Sequence, residues 1–122
     1  MPTVLLVDDS NMIRMILKGL LTQLQISTIV EAPNGQEALS ILAANRINLV
    51  LLDLHMPVMD GENFLVKLRA DPAWRDLPVV IISSDSDPEQ VTRMQTLGVK
   101  AFIQKPFRLE GLQQALVAAG QL

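Results

Sequence analysis

The 122-residue chain is the size of one ordinary domain, long enough to bury about two thirds of its unfolded surface in a single unstapled core. The absence of cysteine excludes disulfides, thiolate metal sites and a cysteine nucleophile, and 49% hydrophobic residues with a mean hydropathy of +0.31 exclude intrinsic disorder. A net charge of −3, scattered Lys and Arg and 3% aromatic residues argue against nucleic-acid binding; no apolar run approaches the roughly 20 residues of a membrane span and no basic leader precedes the first run, so a soluble, cytoplasmic domain is expected.

The first apolar run, residues 3–7, is continuous rather than alternating, as are residues 49–52 and 79–82. Strands of this kind are covered on both faces, the habit of parallel sheets. After the first run, Ser10 or Asn11 can cap a helix whose Ile13, Ile16, Leu17, Leu20, Leu21 and Leu24 recur at helical spacing. A weaker strand fits residues 27–30, followed by a helix over 36–45 with Ala38, Ile41 and Leu42 inward. The strand at 49–52 leads to a helix over 62–69 that buries Phe64, Leu65 and Leu68, with Asp60-Gly61 as its turn and start. A polar connection (71–78) precedes the strand at 79–82. The next helix starts near Pro88 and stops before Gly98, a natural C′ residue. A short strand at 101–103 and a helix carrying Leu109, Leu112 and Leu116 complete five β-α units. That alternation predicts an α/β fold: one parallel sheet, helices on both faces, right-handed crossovers.

In such a sheet, ligands bind beyond the carboxyl ends of the strands. Those positions hold Asp8 and Asp9 after the first strand, Asp53 at the end of the third, Ser83 and Ser84 after the fourth, and Lys105-Pro106 after the fifth. Taken singly, each has a bland reading as a cap, a turn residue or a surface lysine; strand position and residue type together select the same six. Two carboxylates about 4 Å apart repel by roughly 4 kcal/mol at an effective dielectric near 20. Three acids with one lysine leave a formal −2, which a divalent hard cation neutralises; Mg²⁺ suits oxygen ligands and phosphate, so the group is equipped to receive a phosphoryl group. The single histidine, His55, cannot build a His-rich metal site or a Ser-His-Asp triad unaided.

Val7-Asp8-Asp9-Ser10 with Arg14 following, residues 53–61 (Asp-Leu-His-Met-Pro-Val-Met-Asp-Gly), Ser83-Ser84 and Lys105-Pro106-Phe107 occur in one order at these strand ends, and in this the sequence resembles the bacterial response-regulator receiver domains, especially the single-domain chemotaxis-regulator type. The resemblance covers residue 4 to about 119 and implies a flavodoxin-like (βα)5 fold with strand order 2-1-3-4-5. It implies that Asp53 accepts a phosphoryl group from a sensor histidine kinase or phosphotransfer protein. Asp8, Asp9, Asp53 and the backbone carbonyl of His55 would hold Mg²⁺ (Mn²⁺ as a substitute), Asp8 partly through a water. Lys105 would pair with the phosphoryl oxygens, Ser83 would be the switch hydroxyl and Phe102 the coupled aromatic, in a position where several relatives carry Tyr. The Lys105-Pro106 bond is cis in that family, and His55 and Asp85, both expected to face solvent, fall where relatives tune acyl-phosphate lifetime.

The expectation is therefore a single receiver domain over 1–122 with no output domain, a regulatory phosphoacceptor rather than an enzyme. It would be a monomer or a phosphorylation-dependent dimer. It would change its contacts with a downstream target protein through the fourth helix, fifth strand and fifth helix, touching neither nucleic acid nor membrane. Two other classes compete. A binding module that keeps the fold without the chemistry would usually lack an acid or the lysine, and all are present. An Asp-x-Asp phosphatase would need an acid at position 55, which is His55; a flavin protein would need a Ser/Thr/Gly-rich loop where Asp8-Asp9-Ser10-Asn11 stands.

Overall fold

The computed structural model describes residues 2–56, 58–84 and 87–122. Five strands, β1 (Thr3–Val7), β2 (Thr28–Ala32), β3 (Leu49–Asp53), β4 (Val79–Ser83) and β5 (Ala101–Gln104), alternate with five helices, α1 (Asn11–Gln23), α2 (Gly35–Ala44), α3 (Gly61–Ala70), α4 (Pro88–Thr96) and α5 (Leu109–Ala118). All pairings are parallel and the sheet order is β2-β1-β3-β4-β5, as the resemblance implies.

Strand alternation sorts the apolar side chains into two clusters. Leu5, Val7, Val50, Leu52, Val79 and Ile81 pack with Ala38 and Leu42 of α2, Phe64, Leu65 and Leu68 of α3, and Met94 of α4. Val4, Leu6, Leu49, Leu51, Val80 and Ile82 pack with Leu17 and Leu21 of α1 and Leu112, Ala115 and Leu116 of α5. Three central strands covered on both faces explain why their sequences read as unbroken apolar runs.

Three expectations are corrected. The second strand runs to Ala32 rather than stopping at Val30; it is an edge strand, half exposed, and it carries Glu31, whose charge hides the strand in a hydropathy reading. Ile16 is 44% exposed and lies off the packed stripe of α1, beside the exposed Met12 and Met15. The α2 helix begins one residue early, at Gly35, because the Asn34 side chain accepts from the Glu37 N–H at 2.9 Å and caps it. Ser10, of the two candidates, caps α1 by accepting from Ile13 N–H. Gly98 follows α4 at φ +77°, a conformation that favours glycine. Pro57 and Asp85 lie outside the described residues.

Candidate functional site

The parallel register carries the acids to one end of the sheet. Val7 pairs with Leu52, so that Asp8 and Asp53 follow side by side on adjacent strands. On the other side Asp53 pairs with Ile82, placing Ser83 one residue beyond, and the Lys105 N–H donates to the Ser83 carbonyl at 2.8 Å, carrying the β4–β5 pairing past the end of β5. The Lys105-Pro106 peptide is cis. Asp8, Asp53 and Ser83 are the buried polar residues among those described, with 2%, 4% and 4% of their surface exposed.

Lys105 Nζ lies 3.5 Å from Asp8 Oδ2 and 3.5 Å from Asp53 Oδ1, its side chain largely covered. The Ser10 N–H donates to Asp8 Oδ1 at 2.9 Å, and the His55 N–H donates to Asp53 Oδ1 at 3.4 Å. Asp9 is exposed, one residue on, and carboxylate oxygens of Asp8, Asp9 and Asp53 all lie within 4.8 Å of one another. The His55 side chain faces solvent, as expected. Phe102, by contrast, is not at the carboxyl ends. It pairs in register with Ile81 and packs half-buried against the cluster under α2, α3 and α4.

At 4.8 Å each pair of carboxylates repels by about 3.5 kcal/mol at an effective dielectric of about 20, more for the buried Asp8–Asp53 pair than for exposed Asp9. Burial pushes the Asp53 carboxyl above the usual carboxylate range; the charge of Asp8 pushes the same way, and the Lys105 ammonium with the His55 N–H pulls back without cancelling them. One ammonium against three acids leaves a formal −2. An all-oxygen donor set at this spacing, two of its members desolvated and under-neutralised, fits a hard divalent cation such as Mg²⁺.

Sequence reading gives Gly61 only as part of the turn that starts the third helix; the structure adds its close approach to Asp53. Gly61 opens α3, donates its N–H to the Leu54 carbonyl at 3.0 Å, and packs so closely that a Cβ there would sit 2.6 Å from the Asp53 backbone oxygen and 2.7 Å from Leu54 Cα. Its sequence signal, a glycine directly after an N-cap aspartate eight residues past Asp53, reads equally well as a plain turn.

Residues 4–117 match the family described as the response regulator receiver domain. The chain belongs to that family. As a receiver domain it is part of two-component signalling, a regulatory domain of a class that generally binds Mg²⁺ at an acidic site, and Asp8, Asp9 and Asp53 form an acidic cluster here. It is 35% identical over 113 residues to the chemotaxis protein CheY-3 of Vibrio cholerae, covering 93% of this chain and 87% of that protein. A chemotaxis protein CheY homolog of Campylobacter jejuni is 33% identical with 92% and 87% covered. Among solved structures, Vibrio cholerae CheY4 superposes with a TM-score of 0.89 at 29% identity, 98% of each chain covered, and a response regulator receiver protein from Pseudomonas putida with 0.88 at 31% identity, 95% of each covered. No helix among the described residues is long and apolar enough to cross a membrane.

Proposed function

We propose that this receiver domain is a phosphorylation-dependent switch whose phosphoacceptor is Asp53. The observation that carries the reading is the Asp53 carboxylate itself: buried, ringed by Asp8 and Asp9, and within 3.5 Å of the Lys105 ammonium at the carboxyl end of a parallel sheet. An Asp53 oxygen attacks the phosphorus of a phosphohistidine on a histidine kinase or phosphotransfer protein. The O–P bond forms, the N–P bond breaks, and the imidazole leaves with the electron pair. Asp8, Asp9, Asp53 and the His55 carbonyl would hold Mg²⁺ (or Mn²⁺), which would supply neutralising charge for the carboxylate and the incoming phosphoryl oxygens. Lys105 pairs with those oxygens. Exchanging a carboxylate charge of −1 for about −2 takes the metal-loaded site from neutral to about −1, so the ammonium matters most after transfer.

In this reading Ser83, at the end of the neighbouring strand, is the hydroxyl that follows the phosphoryl group, and Phe102 on β5 is the coupled aromatic. The output face is α4, β5 and α5, where a target protein docks. A groove of about 580 Å³ along β5 and α5, lined by Phe102, Gln104, Phe107, Glu110 and Gln114, supports that assignment. The domain catalyses nothing beyond its own phosphorylation and dephosphorylation, and it works in the cytoplasm by protein contact. The test is phosphate uptake from a small phosphodonor with and without Mg²⁺. Wild type takes up one phosphoryl group only with the metal and Asp53→Asn none; undiminished labelling of that variant refutes the reading.

A further inference from the structure

Arg14 stands in the first motif of the site, yet nothing in the phosphoryl chemistry uses it. Its side chain is only 11% exposed, and its guanidinium reaches three separate places. Nε donates to Glu31 Oε1 on β2 at 3.1 Å, one terminal nitrogen donates to the backbone carbonyl of Asp8, and the other to Asn11 Oδ1 in the first turn of α1. Glu31 is held in turn through its second oxygen by Lys18 Nζ at 3.2 Å. Burial raises the Glu31 carboxyl, but the hydrogen bonds and charges of Lys18 and Arg14 outweigh it and keep the group below its ordinary range, the mark of an anchored carboxylate.

The Asp8 carbonyl matters because of the peptide unit it belongs to. That carbonyl and the Asp9 N–H lie in one plane, so whatever fixes the carbonyl fixes how Asp9 leaves Asp8. On its other side Asp8 is already fixed by its N–H on the Ala32 carbonyl at 3.1 Å and its carboxylate under the Ser10 N–H. The arginine supplies the remaining hold, and exposed Asp9 gains its direction through the shared peptide plane.

We propose that Arg14 is a positioning residue that sets the peptide between the two metal-binding acids, with Glu31 as its anchor. The proposal rests on the reading of Asp8 and Asp9 as cation ligands. It needs an arginine in particular, because a rigid fork satisfies three acceptors at once where a lysine brings one point charge. It also makes a prediction opposite in sign to simple electrostatics. Deleting a positive charge near a cation site should tighten cation binding; deleting a clamp on the ligands should loosen it.

The experiment is a Mg²⁺ titration of the whole chain by amide NMR shifts, for wild type, Arg14→Met (which keeps the apolar stem), Arg14→Lys and Lys18→Met, with thermal unfolding recorded on the same samples. Loss of an orienting partner behind a metal ligand typically costs 10–100-fold in affinity. Arg14→Met should therefore bind Mg²⁺ about tenfold more weakly, Arg14→Lys should fail to recover it, and Lys18→Met should stay near wild type. Phosphate uptake by Arg14→Met should need correspondingly more Mg²⁺ yet reach an undiminished rate at saturation. Unchanged or tighter binding by Arg14→Met, or full affinity in Arg14→Lys, overturns the proposal while leaving the phosphoacceptor reading intact. If Arg14→Met does not fold, Arg14→Lys alone decides it. A wild type that binds no Mg²⁺ overturns the reading of the acids, and this inference with it.

Discussion

Replacing Gly61 by alanine puts one methyl group under the backbone of Asp53. The new Cβ would lie 2.6 Å from the Asp53 backbone oxygen, 2.7 Å from Leu54 Cα and 3.0 Å from Leu54 Cδ2, where ordinary contact begins at about 3.4 Å. The two nearest atoms are backbone, so no rotamer change relieves the contact; either α3 backs away or the end of β3 is pushed. Overpacking of this kind costs about 1–3 kcal/mol, and the better helix propensity of alanine, at most about 1 kcal/mol and less in a first turn, offsets only part. The net loss should be about 1–2 kcal/mol, on the order of 5 °C in Tm for a chain this size. Function should suffer more, because misplacing a reacting group by about 1 Å costs about 10²-fold in rate, so at least a tenfold loss of phosphate uptake is expected. Gly19→Ala is the matched control: in α1, where a Cβ meets nothing within 4 Å, it should stabilise by about 0.5–1 kcal/mol and leave uptake unchanged. Denaturant unfolding and phosphodonor labelling of both variants check this. A Gly61→Ala protein with wild-type stability and labelling would show that the close approach does not fix Asp53, and the reasoning would fail.

The remaining expectations concern charge and one half-buried cation. Lys105→Met strands Asp8 and Asp53 without their ammonium and should cost about 3 kcal/mol at neutral pH, the low end for a broken buried pair because the lysine is partly exposed; the loss should shrink on acidification as the Asp53 carboxylate takes up a proton, read by denaturant midpoints against pH. Because the Asp53 carboxyl titrates above its ordinary value when folded, its ionisation opposes folding: the penalty is absent below about pH 3.8, sets in as pH rises and is complete above the folded value. Asp53→Asn should thus be more stable than wild type near neutrality in metal-free buffer and no different in strong acid. Adding Mg²⁺ at 100 times its Kd should stabilise wild type by about 2.7 kcal/mol, and removing it by chelation should reverse that, with Asp53→Asn responding far less. The guanidinium of Arg69 donates to the carbonyls of Leu97 at 2.6 Å, Leu77 at 2.7 Å and Trp74 at 3.0 Å, so Arg69→Ala should cost about 2 kcal/mol and speed amide exchange around Leu97 and Gly98.

Much of this architecture is legible in the sequence because two-sided burial writes itself as unbroken apolar runs. Residues 4–7, 49–52 and 79–82 are legible as strands for that reason, and the ends of such strands lead directly to Asp8, Asp53 and Ser83. The edge strand β2 is less legible because Glu31 interrupts it, and the reason for that charge, a partner on α1, is a contact 17 residues distant that no periodicity encodes. Gly61 and Arg14 are visible in the sequence as a helix start and a motif residue, but their contacts are not, for the same reason: one is fixed by what its missing side chain leaves room for, the other by three acceptors, on β2, on the Asp8 main chain and in the first turn of α1. The roles within the site, acceptor against ligand against switch, come from family resemblance rather than from composition, since three aspartates look alike until burial separates exposed Asp9 from the other two.

The central claim is that one particular carboxylate carries the phosphoryl group. Borohydride reduction of the protein immediately after treatment with a small phosphodonor and Mg²⁺ converts an acyl phosphate to an alcohol, and peptide mass mapping then locates it. The account expects the reduced residue at position 53 alone, and only in samples that contained the metal. A reduced residue at Asp8, Asp9 or Asp60 in its place, or an unmodified Asp53 in protein that had taken up phosphate, contradicts it.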